Sequence, residues 1–253
     1  MTLMAGCFLT LLIVLLSILG LIGARRLLKS IDLKTQHDIA DPYSQFVAML
    51  FAVLLGFMVA DAMQRFGNAR SIVQQEASSL GNMYRLAEGL PDSQCKLIRG
   101  LCKNYATEVI QDEWPKLSEK TDSVRAWSVY KQLWTACATF EPVTQRQSNA
   151  QQLLLSAMES VGDNRRLRVE ALHAGLPEEL WAVLILGGMA TIVFTYFFGS
   201  ENFRMQIVMV SIVSLVICLN LFLLATYDDP FSGDVKVMPN AFETQLRLYQ
   251  LDN

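Results

Sequence analysis

Near its C-terminal end the chain carries IVMVSIVSLVICLNLFLLATY, residues Ile207–Tyr227, with no charged side chain in 21 positions. A helix of about 20 residues, rising 1.5 Å per residue, crosses a bilayer core of roughly 30 Å. Three more uncharged runs occur earlier in the chain: Leu180–Gly199 with 20 residues, Tyr43–Ala60 with 18 and Leu3–Ala24 with 22. The sequence therefore predicts four membrane spans, of which Tyr43–Ala60 is the shortest because it ends at Asp61.

The composition of these runs predicts helices rather than barrel strands. In hydrocarbon each peptide N–H and C=O must be paired within its own segment or within a closed barrel. Barrel strands alternate polar and apolar residues, and these runs do not. One such run is compatible with a buried helix of a soluble domain, but four runs in a chain that is 52% hydrophobic favour an all-α polytopic membrane protein. We interpret Leu3–Ala24 as a retained span because no Lys or Arg precedes it, as a signal peptide would require.

The runs divide the chain into four segments. Residues 1–64 hold the first two spans and a linker, Arg25–Pro42; residues 180–227 hold the last two; residues 228–253 form a tail. Between the pairs of spans, residues 65–179 carry 14 basic and 14 acidic side chains and apolar residues at helical spacing, which predicts a helical domain outside the membrane. No proline separates the second span from this domain, so we expect one long helix to leave the membrane.

Several short motifs occur in a characteristic order. They are Leu55-Gly56-Phe57, Ala69, Glu76-Ala77, Leu80, Tyr105, Glu113-Trp114-Pro115, Arg165, Arg168, Leu176-Pro177, Leu180-Trp181 and Asp229-Pro230-Phe231-Ser232-Gly233. Together they resemble the bestrophin-like family of bacterial and plastid membrane proteins, distant relatives of the bestrophin anion channels. The resemblance implies an oligomeric channel whose subunits have four spans and a helical soluble part, in a bacterial inner membrane. The clustered acidic residues of the bestrophin calcium clasp are not apparent.

The second span offers candidate pore residues. Phe46, Leu50, Val53 (or its neighbour Leu54) and Phe57 recur on one helical face, and a ring of such groups around an axis gates by dewetting. Ordinary packing or lipid contact is the alternative for each of them. Asp61 follows at membrane depth, where an ionisable group usually faces a cavity or a partner. If Asp61 lines a pore, its charge favours cations, whereas the resemblance to bestrophins implies anions. The alternative is that Asp61 simply marks the membrane interface.

Other polar residues have predicted structural uses. Asn220 is expected to form hydrogen bonds between helices. Two acid-aromatic-proline motifs are expected to form fixed corners, namely Glu113-Trp114-Pro115 and Asp229-Pro230-Phe231. The arginines Arg165, Arg166 and Arg168 suit either lipid phosphates and other anions or, more commonly, a solvated charged surface.

A single subunit with four spans rarely encloses a path, so a channel implies a homo-oligomer in the lipid bilayer with an inorganic ion as permeant. The alternative is a membrane-anchored sensor or scaffold whose helical domain binds a ligand or partner without a pore. We predict no catalytic motif, no metal site, no cofactor and no nucleic-acid partner. Basic residues flank the membrane on both sides in similar number, so the side that holds residues 65–179 stays open.

Overall fold

The computed structural model describes residues 3–27, 33–121, 123–198 and 202–251, and every regular element in these ranges is helical. The helices are α1 (Leu3–Leu27), α2 (Leu33–Leu86), α3 (Asp92–Glu108), α4 (Trp114–Leu117), α5 (Val124–Ala138), α6 (Gln145–Glu170), α7 (Glu178–Phe197), α8 (Phe203–Tyr227) and α9 (Asn240–Leu251). A 3-10 turn, Ala87–Gly89, follows α2, and a π-helical turn, Val109–Glu113, joins α3 to α4. The all-α fold class is confirmed.

Four of these helices are long and apolar enough to cross a membrane: α1, α7, α8 and the part of α2 that follows Asp41. They coincide with the four predicted spans. Helix α2 begins at Leu33, so part of the stretch between the first two spans is helical, and Pro42 lies inside the helix. Proline lacks a backbone N–H, so it removes one hydrogen bond from the helix at that point.

The membrane spans belong to one compact unit, Met1–Gln64 with Gly175–Asp228. Helix α1 packs against α7 and α8, which also pack against each other. Helix α2 contributes Phe51 and Leu55 to the core of this unit, where they meet Leu184 of α7 and Ile217 of α8. Only one side of α2 is therefore used for packing within this unit.

Asp228 ties the ends of two spans together in this unit. Its Oδ1 accepts a hydrogen bond from the backbone N–H of Leu176 at 2.8 Å, and its Oδ2 accepts one from Trp181 Nε1 at 3.3 Å. The carboxylate at the end of α8 thereby holds the chain that enters α7.

The second compact unit is Arg65–Ala174 with Asp229–Asn253. Its core gathers side chains from the later part of α2, from α3, α5 and α6, and from the C-terminal helix α9. The ring of Tyr249 on α9 stacks on Tyr84 of α2 with 4.0 Å between centroids. Residues 240–251 of the C-terminal tail thus form a packed helix, which the sequence did not predict.

A glycine permits the close approach of α2 to α7. A methyl group added at Gly187 would lie 2.8 Å from Cδ2 of Phe51, whereas one added at Gly23 would meet nothing within 4 Å. We expect Gly187→Ala to lower the free energy of unfolding in detergent by about 1–3 kcal/mol, the usual cost of overpacking. Gly23→Ala should leave it nearly unchanged. Equal stabilities of the two variants in SDS titrations would contradict this packing.

Candidate functional site

One side of α2 in the membrane unit carries four large exposed apolar side chains. Phe46, Leu50, Val53 and Phe57 are spaced four, three and four residues apart and are 64%, 56%, 49% and 67% exposed. Such spacing puts residues on one helical face. The four predicted pore candidates therefore share one face of α2, which we call the apolar line.

The apolar line faces away from the core because the opposite side of α2 is buried. Phe51, Leu55 and Ala62 are 7%, 6% and 0% exposed and contribute to the core of the membrane unit. The side chain of Phe51 lies against the glycine pair Gly187-Gly188 of α7. Rotating α2 about its own axis would break this contact. The packing of Phe51 therefore fixes the direction in which the apolar line faces within the unit.

Exposure alone does not distinguish a pore wall from a lipid-facing surface, since the other spans also expose large apolar side chains. Examples are Phe8 of α1, Leu186 of α7 and Val216 of α8, which are 70%, 60% and 51% exposed. On α2 the exposed Asp61 lies one helical turn beyond Phe57, and α7 likewise begins with the exposed acids Glu178 and Glu179. A carboxylate at the end of an apolar face needs water or a partner rather than lipid. Its role in a pore stays a prediction.

Asn220 of α8 makes its hydrogen bond within its own helix. Its Nδ2 donates to the carbonyl oxygen of Val216 at 2.9 Å, and the residue is half-buried. A bond from Asn220 to another helix, as the sequence predicts, stays a prediction.

The extramembrane unit contains a buried group of polar side chains that share hydrogen bonds. We call it the buried charge cluster; its members are Glu76, Tyr105, Glu113, Arg165 and Arg168. Arg168 donates from Nε to Glu76 Oε2 at 2.7 Å and from Nη2 to Glu76 Oε1 at 3.1 Å. The same Nη2 donates to Glu113 Oε2 at 3.1 Å. One guanidinium therefore joins α2 to the turn after α3 through two carboxylates.

The other two members complete the network. Arg165 Nη2 donates to Glu113 Oε1 at 2.6 Å, and the hydroxyl of Tyr105 donates to Glu76 Oε1 at 2.7 Å. With two arginines and two glutamates the cluster is formally neutral. Burial of a charge in protein is costly unless it is paired and hydrogen-bonded. Each guanidinium here is paired with a carboxylate, although Arg165 Nε and Arg168 Nη1 are buried without a hydrogen-bond partner.

The pKa values of the cluster follow from this geometry. Burial alone would lower the pKa of the Arg168 guanidinium, but the neighbouring carboxylates of Glu76 and Glu113 outweigh burial and hold it well above its ordinary value. Burial, and then the charge of Glu76, raises the pKa of the Tyr105 hydroxyl well above its ordinary value. Arg168 therefore stays charged and Tyr105 stays protonated at every physiological pH, so the tyrosine acts as a hydrogen-bond donor.

The cluster corrects the expectation of a solvated arginine surface. The side chain of Arg166 is 67% exposed and pairs with Asp163 on the same helix, but those of Arg165 and Arg168 are 10% and 0% exposed. The charge of these three arginines did not indicate which of them are buried. The signal available in the sequence was the motif set itself, which contains all five members of the cluster.

The two predicted corners meet each other in the extramembrane unit. The ring of Trp114 packs edge-on against Phe231 at 6.0 Å between centroids, and its Nε1 donates to the carbonyl of Val237 at 3.2 Å. Pro115 opens the short helix α4. Asp229 Oδ1 accepts the backbone N–H of Phe231 at 3.1 Å, and the carbonyl of Pro230 accepts the N–H of Val237 at 2.8 Å. The carboxylate of Glu113 accepts hydrogen bonds from Arg165 and Arg168 of the buried charge cluster.

The Arg168 guanidinium also lies 5.5 Å from the centre of the Trp114 ring, which connects the corners to the buried charge cluster. A model of the bestrophin-like domain matches residues 11–242, which include both features. The chain belongs to the bestrophin-like family. No curated protein matches this bestrophin-like chain.

Solved structures show the same fold. Two crystal structures of variants of a bacterial bestrophin homolog from Klebsiella pneumoniae align with this bestrophin-like chain at TM-scores of 0.69 and 0.70. They are 14% and 13% identical to it, and the alignments cover 96% and 97% of this chain and 98% and 99% of the other. At this identity the similarity establishes architecture and nothing about individual residues.

The buried charge cluster should be a main source of stability in the extramembrane unit. We expect Arg168→Met to lower the free energy of unfolding by about 3–5 kcal/mol, because it leaves Glu76 and part of Glu113 unpaired in the core. Arg166→Met removes an exposed ion pair and should cost less than about 1 kcal/mol. Urea unfolding of the detergent-solubilised protein, followed by tryptophan fluorescence, measures both. Similar midpoints for the two variants would show that the cluster does not hold the unit together.

Proposed function

We propose that this membrane protein is a homo-oligomeric ion channel in which the apolar line of α2 lines the narrowest part of the path. Membership of the bestrophin-like family supports this proposal, since the resemblance implies oligomeric channels. The single observation that carries it is the apolar line, with Phe46 and Phe57 exposed and with Asp61 one turn beyond.

The cavity described in the membrane unit does not suit an ion. It has a volume of about 300 Å³, it lies between α1, α7 and α8, and no charged side chain among the described residues lines it. Its walls include Ile13, Met189 and Phe222. An ion in such a cavity would lose its hydration without replacement, at a cost of several kcal/mol or more. A conducting path therefore runs between subunits, which requires several copies around an axis.

Apolar side chains around that axis act as a gate. Water leaves a narrow apolar constriction readily, so small changes in its radius switch conduction on and off. A ring of Asp61 carboxylates at its end concentrates cations, whereas the family resemblance implies anions. The preferred ion therefore depends on how strongly Asp61 contributes.

A membrane-anchored sensor or scaffold is the second candidate function. A groove of about 470 Å³ between α5 and α6 is lined by Trp127, Tyr130 and Trp134 together with both acidic and basic side chains of α6. Trp127 and Trp134 are 41% and 42% exposed, which suits a ligand or a partner protein. For such a function no pore is needed, and a monomer or a dimer suffices. In both cases we expect no enzymatic activity and a bacterial inner membrane as the location.

Currents across planar bilayers test the channel directly. We expect the purified protein to conduct and Phe57→Ala to increase the current, because removing the ring widens the constriction and lets water remain in it. Phe8→Ala is the matched control: it removes an equally exposed phenylalanine from α1 and should leave the current unchanged. A protein that is silent in every salt and runs as a monomer would favour the sensor.

The role of Asp61 has its own test. Asp61→Asn should lower the cation-to-anion permeability ratio by about tenfold, the lower end of the enrichment produced by a cleft of one charge sign. Reversal potentials in a KCl gradient measure this ratio. An unchanged reversal potential would place Asp61 outside the path, at the membrane interface.

A further inference from the structure

The groove between α5 and α6, which we call the aromatic groove, lies within the extramembrane unit and has two different walls. Its α5 wall consists of Trp127, Tyr130 and Trp134, whose spacing of three and four residues puts them on one helical face. Its α6 wall is polar and carries charges of both signs. With about 470 Å³, the groove has the size of a site for a small organic ligand.

Contacts across the groove show which residues of α5 and α6 face each other. The guanidinium of Arg165 lies 5.2 Å from the centre of the Trp127 ring. One turn earlier on α6, Gly162 leaves room for the Tyr130 hydroxyl, since a methyl group added to this glycine would overlap that oxygen. Later positions on α5 therefore face earlier positions on α6, so the two helices run antiparallel along the groove.

At one end of the aromatic groove the side chains already bind each other. The Trp127 ring stacks on Tyr130 with 5.1 Å between centroids, and Lys131 Nζ lies 5.4 Å from its centre. Arg165 is paired with Glu113 of the buried charge cluster. Its Nε has no hydrogen-bond partner but is buried, so a ligand in the groove does not reach it. This end therefore offers little to a ligand.

The charges of the α6 wall leave one carboxylate over. Arg166 lies between Asp163 and Glu170, with N–O distances of 3.1 and 3.9 Å. Glu159 also lines the groove and is exposed. Across the part of the chain that the structure describes, its carboxylate forms no hydrogen bond and no ion pair. The charge that remains available in the groove is therefore negative.

The other end of the aromatic groove brings a free ring close to this carboxylate. By the antiparallel register, Trp134 lies opposite the turn of α6 that carries Glu159. The Trp134 side chain is 42% exposed, and among the described residues it stacks on no other ring. Burial raises the pKa of the neighbouring Tyr130 hydroxyl above its ordinary value, so this hydroxyl stays neutral. The face of an indole beside a carboxylate attracts an ammonium group.

We infer that this end of the aromatic groove binds a small organic ammonium ion. The ammonium group lies between the face of Trp134 and the carboxylate of Glu159, and the apolar part of the ion covers the exposed aromatic wall. An anion fits poorly, because both arginines of the groove are already paired. The inference supplies a ligand class for the sensor function considered above but does not require that function, since a channel with the same extramembrane unit would bind the same ion.

Tryptophan fluorescence tests this site in the full-length, detergent-solubilised protein. We expect n-butylammonium chloride, titrated at constant ionic strength, to produce a saturable change in emission, because a cation over the face of Trp134 shifts the energy of its excited state. Glu159→Gln should weaken the binding about threefold, the loss expected of an exposed ion pair. Glu141→Gln is the matched control, since it removes an exposed carboxylate from the turn between α5 and α6, outside the groove.

Two further comparisons separate charge from apolar contact and locate the ion. The neutral analogue 1-butanol should produce no saturable change over the same concentrations. Trp134→Phe should remove most of the emission change, whereas Trp127→Phe should retain it. The inference would be overturned by the absence of saturation, by an equal effect of 1-butanol, by equal binding in the two glutamate variants, or by a signal that depends on Trp127 instead. None of these results depends on currents, so a failure here is distinct from a failure of the proposed channel.

Discussion

Peptide groups have no water to bind inside a bilayer, and each unpaired one costs several kcal/mol. A chain that enters hydrocarbon therefore has to remain helical until it leaves. Helix α2 extends this rule beyond the membrane, because its 54 residues contribute to both compact units. A single helix thus supplies the apolar line of one unit and Glu76 of the buried charge cluster in the other.

Each unit holds α2 by a different kind of contact. In the membrane unit Phe51 fits against the glycines of α7, a contact of shape alone. In the extramembrane unit Glu76 is held by Arg168 and Tyr105, a contact of charge and hydrogen bonds in a dry core. Both contacts fix which face of α2 is packed and which is left exposed. The direction of the apolar line within the membrane unit is therefore a consequence of core packing rather than of the exposed residues themselves.

The spans were predictable because length and the absence of charge are local properties of the sequence. The apolar line was predictable for a similar reason, since helical periodicity places Phe46 and Phe57 on one face. The buried charge cluster was not, because Arg168 and its partner Glu76 are 92 positions apart and nothing nearby separates Arg168 from the exposed Arg166. Helix α9 was also missed: its place depends on the stacking of Tyr249 on Tyr84, a contact between distant segments.

Everything proposed about conduction depends on several copies of α2 surrounding one axis. Electron cryomicroscopy of the full-length protein in lipid nanodiscs measures this arrangement most directly. We expect a closed ring of subunits with Phe46, Leu50, Val53 and Phe57 nearest the axis. A monomer, or an assembly in which these four side chains face lipid at the periphery, would contradict it.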